Sequence, residues 1–374
     1  MQCWRVTADR GFLMAENPRA DAAVEATSEG AALAEIMAAA ADLPALIASG
    51  AIRRVAPALP IPDIAAAGLS ERAAERLHQA YGFLANGYLW TPAAAPLRAL
   101  PAALAVPFKA VSDRLGRPPV LSYAGSQLCN WRLDDAAAGF APETLRPIQT
   151  FQDDADESWF WVIHIAIEAA GGPAVIAGAR ATAAARAGDE AALEAELGEI
   201  AAGLAAIRRL AERIEEGCSP ESFFRTLRPF LFSPPEGVVF EGVAEWGERP
   251  KAFLGQTGAQ SSLLPALCGA LGVSHGRTEL TDYLDAVRAY MPEPHRAFIA
   301  GLDGVAVRAA AGRSAALREA YNACIEAAAA FRRFHLTLAA TYIAARIEDP
   351  KGTGGTDFMR WLKHMTRETE AQRL

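Results

Sequence analysis

Asp189–Pro220, DEAALEAELGEIAAGLAAIRRLAERIEEGCSP, decides the fold class. It is the clearest amphipathic helix in the chain, and Gly217 stops it. Ser219-Pro220-Glu221 then supplies an N-cap followed by proline at a first helical position, opening ESFFRTLRPFLF. The same grammar extends outward in both directions. SEGAALAEIMAAAADLPALIASG has Ser28 as an N-cap and Gly50 as a stop, and LSERAAERLHQAYGFLANGYLW begins at Ser70. The last long helix is SAALREAYNACIEAAAAFRRFHLTLAATYIAAR. Runs of valine, isoleucine and threonine with period two are scarce, so the expected class is all-α.

The bulk properties narrow the function. At 374 residues and 52% hydrophobic, with mean hydropathy +0.09, the chain is a folded protein with a substantial core. A net charge of −8 argues against nucleic acid or an anionic membrane as partner, since both need a basic face. The start, MQCWRVTADRGFLMAENPRA, has no apolar core behind a basic end, so no secretory signal is expected. The most apolar run, WFWVIHIAIEAAGGPAVIAGARATAAA, carries His164, Glu168, Gly171, Gly172 and Pro173 and reads as a buried helix and a turn. Five scattered cysteines without a CxxC fit a reduced, cytoplasmic protein. Prolines cluster in the first third, and FAPETLRPIQTFQDDADE marks an expected boundary between a small N-terminal domain, 1–145, and a larger helical one, 146–374.

Several motifs bear on chemistry. KGTGGTDFMRWLKH, from Lys351, resembles a phosphate cradle, but no lysine follows the glycines in P-loop register and Asp357 stands where a dinucleotide turn needs glycine. It reads either as a flexible connection or as a set of free N–H groups and threonine hydroxyls for an anionic or zwitterionic ligand. Glu75 and His78 have ExxH spacing without a second copy, so His78 is expected at the surface of its helix. No HExxH occurs, and YAGSQL lacks the second glycine of a nucleophile elbow. His335 shares a helix face with Ala327, Ala328, Phe331, Leu338, Ala339 and Tyr342, and Arg332 lies one turn earlier. Small and apolar neighbours suit either an imidazole offered to a flat group such as haem or a core histidine bonded to a carbonyl. His164, among Phe160, Trp161 and Ile167, has the same two readings. Arg228, one turn from Phe224, suits a substrate with an aromatic body and a carboxylate head, or a core helix whose arginine reaches water.

LSYAGSQLCNW, FFRTLRPFLF, FEGV followed by FLGQTGAQSS, YMPEPHRAFI, LREAYNACIEA, FRRFHL and GTGGTDFMRWLKHMTRETE together resemble the indoleamine 2,3-dioxygenase family, in its order and over roughly residues 80 to 374. The resemblance implies an all-helical haem fold, with a small N-terminal domain over a large haem-binding one. It also implies b-type haem on one proximal histidine, ferrous iron with O2 as co-substrate, an electron donor for the iron, and opening of the C2–C3 bond of L-tryptophan or a related indole to give N-formylkynurenine.

Position by position, the resemblance makes His335 the proximal iron ligand and Arg332 a propionate partner. Tyr123, Ser126, Phe160 and Phe223 become the indole pocket, Arg228 the carboxylate anchor, and Thr257, Gly258 and Ala259 a loop passing over the haem. Gly355 and Thr356 become a mobile loop that closes on the amino-acid head. His164 departs from the pattern, standing where the animal enzymes have serine. A histidine there is similar to the sister tryptophan 2,3-dioxygenases, in which it faces the indole N–H. A second departure is a tighter connection between the His335 helix and GTGGTD. Two other activities stay open: a related haem enzyme acting on another indole, and a non-catalytic O2-binding haem protein, which would not need Arg228 and the glycine loop.

Overall fold

The computed structural model describes residues 3–15, 28–92, 95–346 and 358–374. Its helices are α1 (Gly30–Ala41), α2 (Leu43–Ala48), α3 (Glu71–Trp90), α4 (Ala102–Leu115), α5 (Ala155–Ala170), α6 (Gly172–Ala187), α7 (Glu190–Glu212), α8 (Leu263–Leu271), α9 (Glu279–Val287), α10 (Glu293–Ala300), α11 (Gly304–Ala311), α12 (Ala315–Tyr342) and α13 (Phe358–Glu370), with short helical turns between them. The described strands have two residues each: β1 (Ala99–Leu100) pairs in parallel with β4 (Val239–Phe240), and β2 (Arg132–Leu133) antiparallel with β3 (Leu145–Arg146). The all-α expectation holds.

Helix α7 is the axis of the larger helical body. α6 and α12 pack along it, α5 also packs against it, and α8 packs against α6. Close approach needs glycine: a Cβ on Gly203 would sit 2.5 Å from that of Ala174, and one on Gly178 would sit 2.8 Å from that of Ala270. The apolar stretch Ala155–Ala187 is long and apolar enough to cross a membrane by composition. Here it breaks at Gly171 into α5 and α6, and most of it is buried in the core.

Caps mark the helix starts where the sequence signals are strongest. Ser70 accepts from the Ala73 N–H, Asp189 from Ala192, Ser219 from Ser222 and Ser314 from Leu317. Two expectations fail. Ser28 does not cap α1; its hydroxyl donates to the Ala66 carbonyl, and the chain turns at Asp42 because Pro44 opens a second helix. Glu221–Phe232 is not one amphipathic helix: a short α-turn gives way to a π-helical segment, Phe223–Leu227, and a 3₁₀ turn, Arg228–Leu231, around Pro229.

His78 also corrects the sequence reading. It is buried, its Nε2 lies 3.2 Å from the Pro118 carbonyl, and burial pushes its imidazole down to about 3. Glu75 is buried one turn away, bonded to Trp4 Nε1 at 2.8 Å and paired with Arg117. Burial raises the Glu75 carboxyl against the pull of Arg117 and Trp4. A buried pair of this kind is costly to break from one side. Arg117→Leu should destabilise the protein by about 3–5 kcal/mol in urea unfolding, and the double change Arg117→Leu with Glu75→Leu by clearly less. A double change that costs the sum of the two single changes would show that the side chains are uncoupled.

Candidate active site

Two histidines on two helices come near one another, His335 on α12 and His164 on α5. On α12, the buried stripe includes Leu317, Tyr321, Ile325 and Ala328, but His335 keeps accessible surface, and Phe331 and Leu338 are only half-buried. The Phe331 and His335 rings are parallel, with centroids 6.3 Å apart. Desolvation nevertheless pushes the His335 imidazole down to about 4, with smaller contributions from His164 and Arg332. No described hydrogen bond engages that ring.

His164 lies on α5. Its Nδ1 is 2.8 Å from the Phe160 carbonyl, one turn earlier. A carbonyl only accepts, so Nδ1 carries the proton and Nε2 presents a lone pair. Burial lowers this imidazole too, and both rings are therefore neutral near pH 7. The Phe160 ring lies 4.3 Å from His164 and 5.1 Å from Phe223, and Phe223 meets Tyr342 of α12 at 5.8 Å. Phe160, Phe223 and His164, scattered in the sequence, thus form one wall that ends on the His335 helix.

A second wall comes from two irregular segments. Tyr123 precedes a π-helical turn, Ala124–Leu128, and its backbone N–H donates to Gln260 Oε1 at 2.9 Å. Ser126 is fully buried, with its hydroxyl spent on the Ser122 carbonyl and Gln127, so it sits behind the wall. The loop Thr257–Ala259 is half-open, and a side chain at the exposed Gly258 would meet nothing within 4 Å. Its flanks are fastened: the Leu254 N–H donates to the Tyr290 hydroxyl at 2.7 Å, Gln260 reaches the Gly255 carbonyl at 3.0 Å, and Ser261 donates to Glu168 Oε1 at 2.5 Å.

Arg228 is buried between the faces of Phe224 and Phe232, its guanidinium carbon 5.3 and 4.6 Å from the ring centres. Burial pushes it down to about 10, which leaves it cationic at neutral pH. Arg332 is buried as well, and its neighbours are sulfurs: Cys268 Sγ at 3.3 Å and Met365 Sδ at 3.8 Å. Its Nε has no hydrogen-bond partner, and no described carboxylate is within ion-pair range of it. Gly355 and Thr356 lie outside the described residues.

Glu168 is the residue the sequence reading passed over, using it only against a membrane span. Its one legible signal is its place four residues after His164, on the same helix face. In the structure it is buried beside Ser261 and the Tyr123 hydroxyl, and burial raises its carboxyl from 4.5 to about 7.

The family model "Indoleamine 2,3-dioxygenase" matches residues 1–372. The chain is 33% identical over 357 residues to the indoleamine 2,3-dioxygenase 1 of Rattus norvegicus, covering 88% of this chain and 86% of that one. It is 32% identical over 358 residues to a 6-hydroxytryptophan 2,3-dioxygenase of Fusarium equiseti, covering 87% of each. A protein of Haliotis madaka named myoglobin is 28% identical over 349 residues, covering 88% of this chain and 89% of its own.

A carboxyl raised on folding lends its full stability only below its unfolded pKa, and loses it as pH rises through the folded value. For Glu168 the window runs from about 4.5 to about 7, and the loss is roughly 3 kcal/mol. Glu168→Gln keeps an acceptor for Ser261 and removes that loss. Urea unfolding should show it more stable than the parent at pH 8 and nearly equal at pH 5; the same difference at both pH values would refute the titration.

Proposed function

The chain belongs to the indoleamine 2,3-dioxygenase family, and from that premise we propose that it is a haem-dependent dioxygenase opening the C2–C3 bond of L-tryptophan or a closely related indole. One observation carries the reading. A neutral imidazole engaged in no described hydrogen bond, the exposed His335, lies one turn from a buried guanidinium, Arg332, that no described carboxylate neutralises. That donor set fits haem: a neutral nitrogen for the iron, a cation for a propionate, and the half-buried Phe331 and Leu338 for the macrocycle. When bound, haem supplies the redox-active iron that activates dioxygen.

The protein's own residues bind and orient the substrate. Phe160 and Phe223 offer flat apolar faces to the indole, and Tyr123 closes the opposite side. His164, with Nδ1 tied to the Phe160 carbonyl, presents Nε2 as an acceptor for the indole N–H. Arg228, gripped by two phenyl rings, receives the substrate carboxylate. Fixing both ends of the amino acid holds the C2–C3 edge against the reacting centre, and the aromatic wall excludes water. Thr257, Gly258 and Ala259 would line the cofactor's side of the site, where a side chain at Gly258 meets nothing within 4 Å.

The relative named myoglobin keeps a second reading in view, an O2-binding haem protein without turnover. Arg228 in a buried aromatic clamp has no purpose there, which favours the enzyme.

The deciding experiment incubates the reduced, haem-loaded protein with L-tryptophan and O2. N-formylkynurenine absorbance should rise; a Soret band without product would leave only oxygen binding, and no Soret band would end the haem reading. His335→Ala should abolish the haem spectrum. Arg228→Ala should lower kcat/KM by about 100-fold or more, a loss of at least about 3 kcal/mol typical of an unpaired substrate charge. His164→Ala should erase roughly tenfold of the preference for tryptophan over its N1-methyl analogue. An unchanged preference would remove the indole N–H from the assignment of His164.

A further inference from the structure

The five cysteines divide sharply. Cys3, Cys129, Cys218 and Cys324 are buried. Burial pushes the thiols of Cys3, Cys218 and Cys324 up to about 12, and that of Cys129 well above the usual range. Cys324 is also bonded to the Leu197 carbonyl at 3.0 Å. Thiols in this condition are inert. Cys268, on α8, alone keeps accessible surface.

Its partner is unusual. Arg332 is only 7% exposed, yet its Nη2 donates to Cys268 Sγ at 3.3 Å and its Nη1 to Met365 Sδ at 3.8 Å. Sulfur is a weak acceptor, and among the described residues a buried cation so placed lacks the anion that normally accompanies it. Its Nε has no partner at all among the described residues. Nε and Nη2 form one edge of the guanidinium, the edge that takes two oxygens side by side. One donor of that edge already points at Cys268, and the other is idle.

We propose that Cys268 is a redox modification site, at which hydrogen peroxide converts the thiol to a sulfinate whose two oxygens engage the Nε–Nη2 edge of Arg332. The sulfur attacks one peroxide oxygen; an S–O bond forms, the O–O bond breaks, and the departing hydroxide leaves as water with the thiol proton. The resulting sulfenic acid reacts with a second peroxide in the same way, giving a sulfinic acid and a second water. Loss of its proton yields the anion. Sulfur is oxidised by four electrons and two peroxides are reduced. Arg332 thereby gains a charge-assisted fork in place of a weak sulfur contact. The thiol and its arginine stand together whether or not a cofactor is bound, so the inference does not rest on the haem reading. Where haem is present, the sulfinate competes for the guanidinium assigned to a propionate.

The test treats the full-length protein as purified, and a haem-free sample beside it, with hydrogen peroxide, and maps oxygen uptake by peptide mass spectrometry. Cys268 should gain two oxygens at least about tenfold faster than any other cysteine in both samples. Arg332→Leu should slow that gain several-fold, and Arg332→Lys, which keeps the charge but not the fork, should fall between. Oxidation of Cys268 no faster than of the four buried thiols would overturn the proposal. So would oxidation confined to the haem-bearing sample, or a wild-type rate in a folded Arg332→Leu protein. If Arg332→Leu fails to fold, the comparison among the five cysteines of the parent protein still decides. A protein that takes up no haem yet oxidises at Cys268 would sink the dioxygenase reading and leave this one standing.

Discussion

Helix α12 has to satisfy two demands that oppose each other. Its first half must bury Leu317, Tyr321, Cys324, Ile325 and Ala328, and it packs along α7. Its second half must leave Phe331, His335 and Leu338 uncovered. Apolar surface is driven to close on itself, so an uncovered stripe in the middle of a helix survives only where its neighbours cannot reach it. The run of alanines, Ala327 to Ala330, brings α12 close to its partners on one side. On the other side the wall is made of irregular segments, the two π-helical turns and the Thr257–Ala259 loop, whose backbones are fixed by hydrogen bonds and do not collapse inward.

The buried arginines show how charge sorts structure from function. Arg117 has Glu75, and the pair closes a polar seam between the N-terminal segment and α3. Arg228 is steadied by two aromatic faces, which hold its position while leaving its charge undiminished. Arg332 is steadied by two sulfurs, which do neither well. A fold gains nothing from burying a guanidinium beside thiol and thioether alone. The cost makes sense when an anion, from a cofactor or from the cysteine itself, completes the site.

Much of this was legible beforehand. Helix starts at Ser70, Asp189, Ser219 and Ser314 follow from capping chemistry, which is local, and the all-α class follows from periodicity. What periodicity could not supply was depth. Glu75 and His78 sit on an amphipathic-looking helix, yet both are buried, because Trp4, Arg117 and the Pro118 carbonyl arrive from elsewhere in the chain to satisfy them. Glu221–Phe232 carries an apolar helical stripe that left Arg228 either beside buried aromatics or reaching water; Phe232, brought round by the π-turn and Pro229, completes the clamp with Phe224 that decides for burial. The motif resemblance located His335, His164, Phe160 and Phe223 along the sequence, and three ring contacts join His164, Phe160, Phe223 and Tyr342 into one wall. Glu168 stayed hidden because its partners, Ser261 and Tyr123, are 93 and 45 residues away.

His164 illustrates why the helix, not the ligand, sets the chemistry of the pocket. The carbonyl of Phe160 is four residues earlier and already belongs to the helix, so the Nδ1 bond is made inside one element and needs no substrate to form it. The tautomer is thereby fixed in advance, with the lone pair of Nε2 turned outward. Protonation of that nitrogen is opposed by burial, which also keeps His335 neutral on the facing helix. Two neutral imidazoles demand no counter-ion. An indole brings an N–H donor and no charge of its own on the ring. On the proposed reading it would enter without disturbing the proton inventory of the site, while its charged amino-acid end would be met separately at Arg228. Dividing the neutral and the charged halves of recognition between α5 and the Phe223–Leu231 turn would let each be held rigidly, and rigidity is what the proposed orientation of a C2–C3 edge requires.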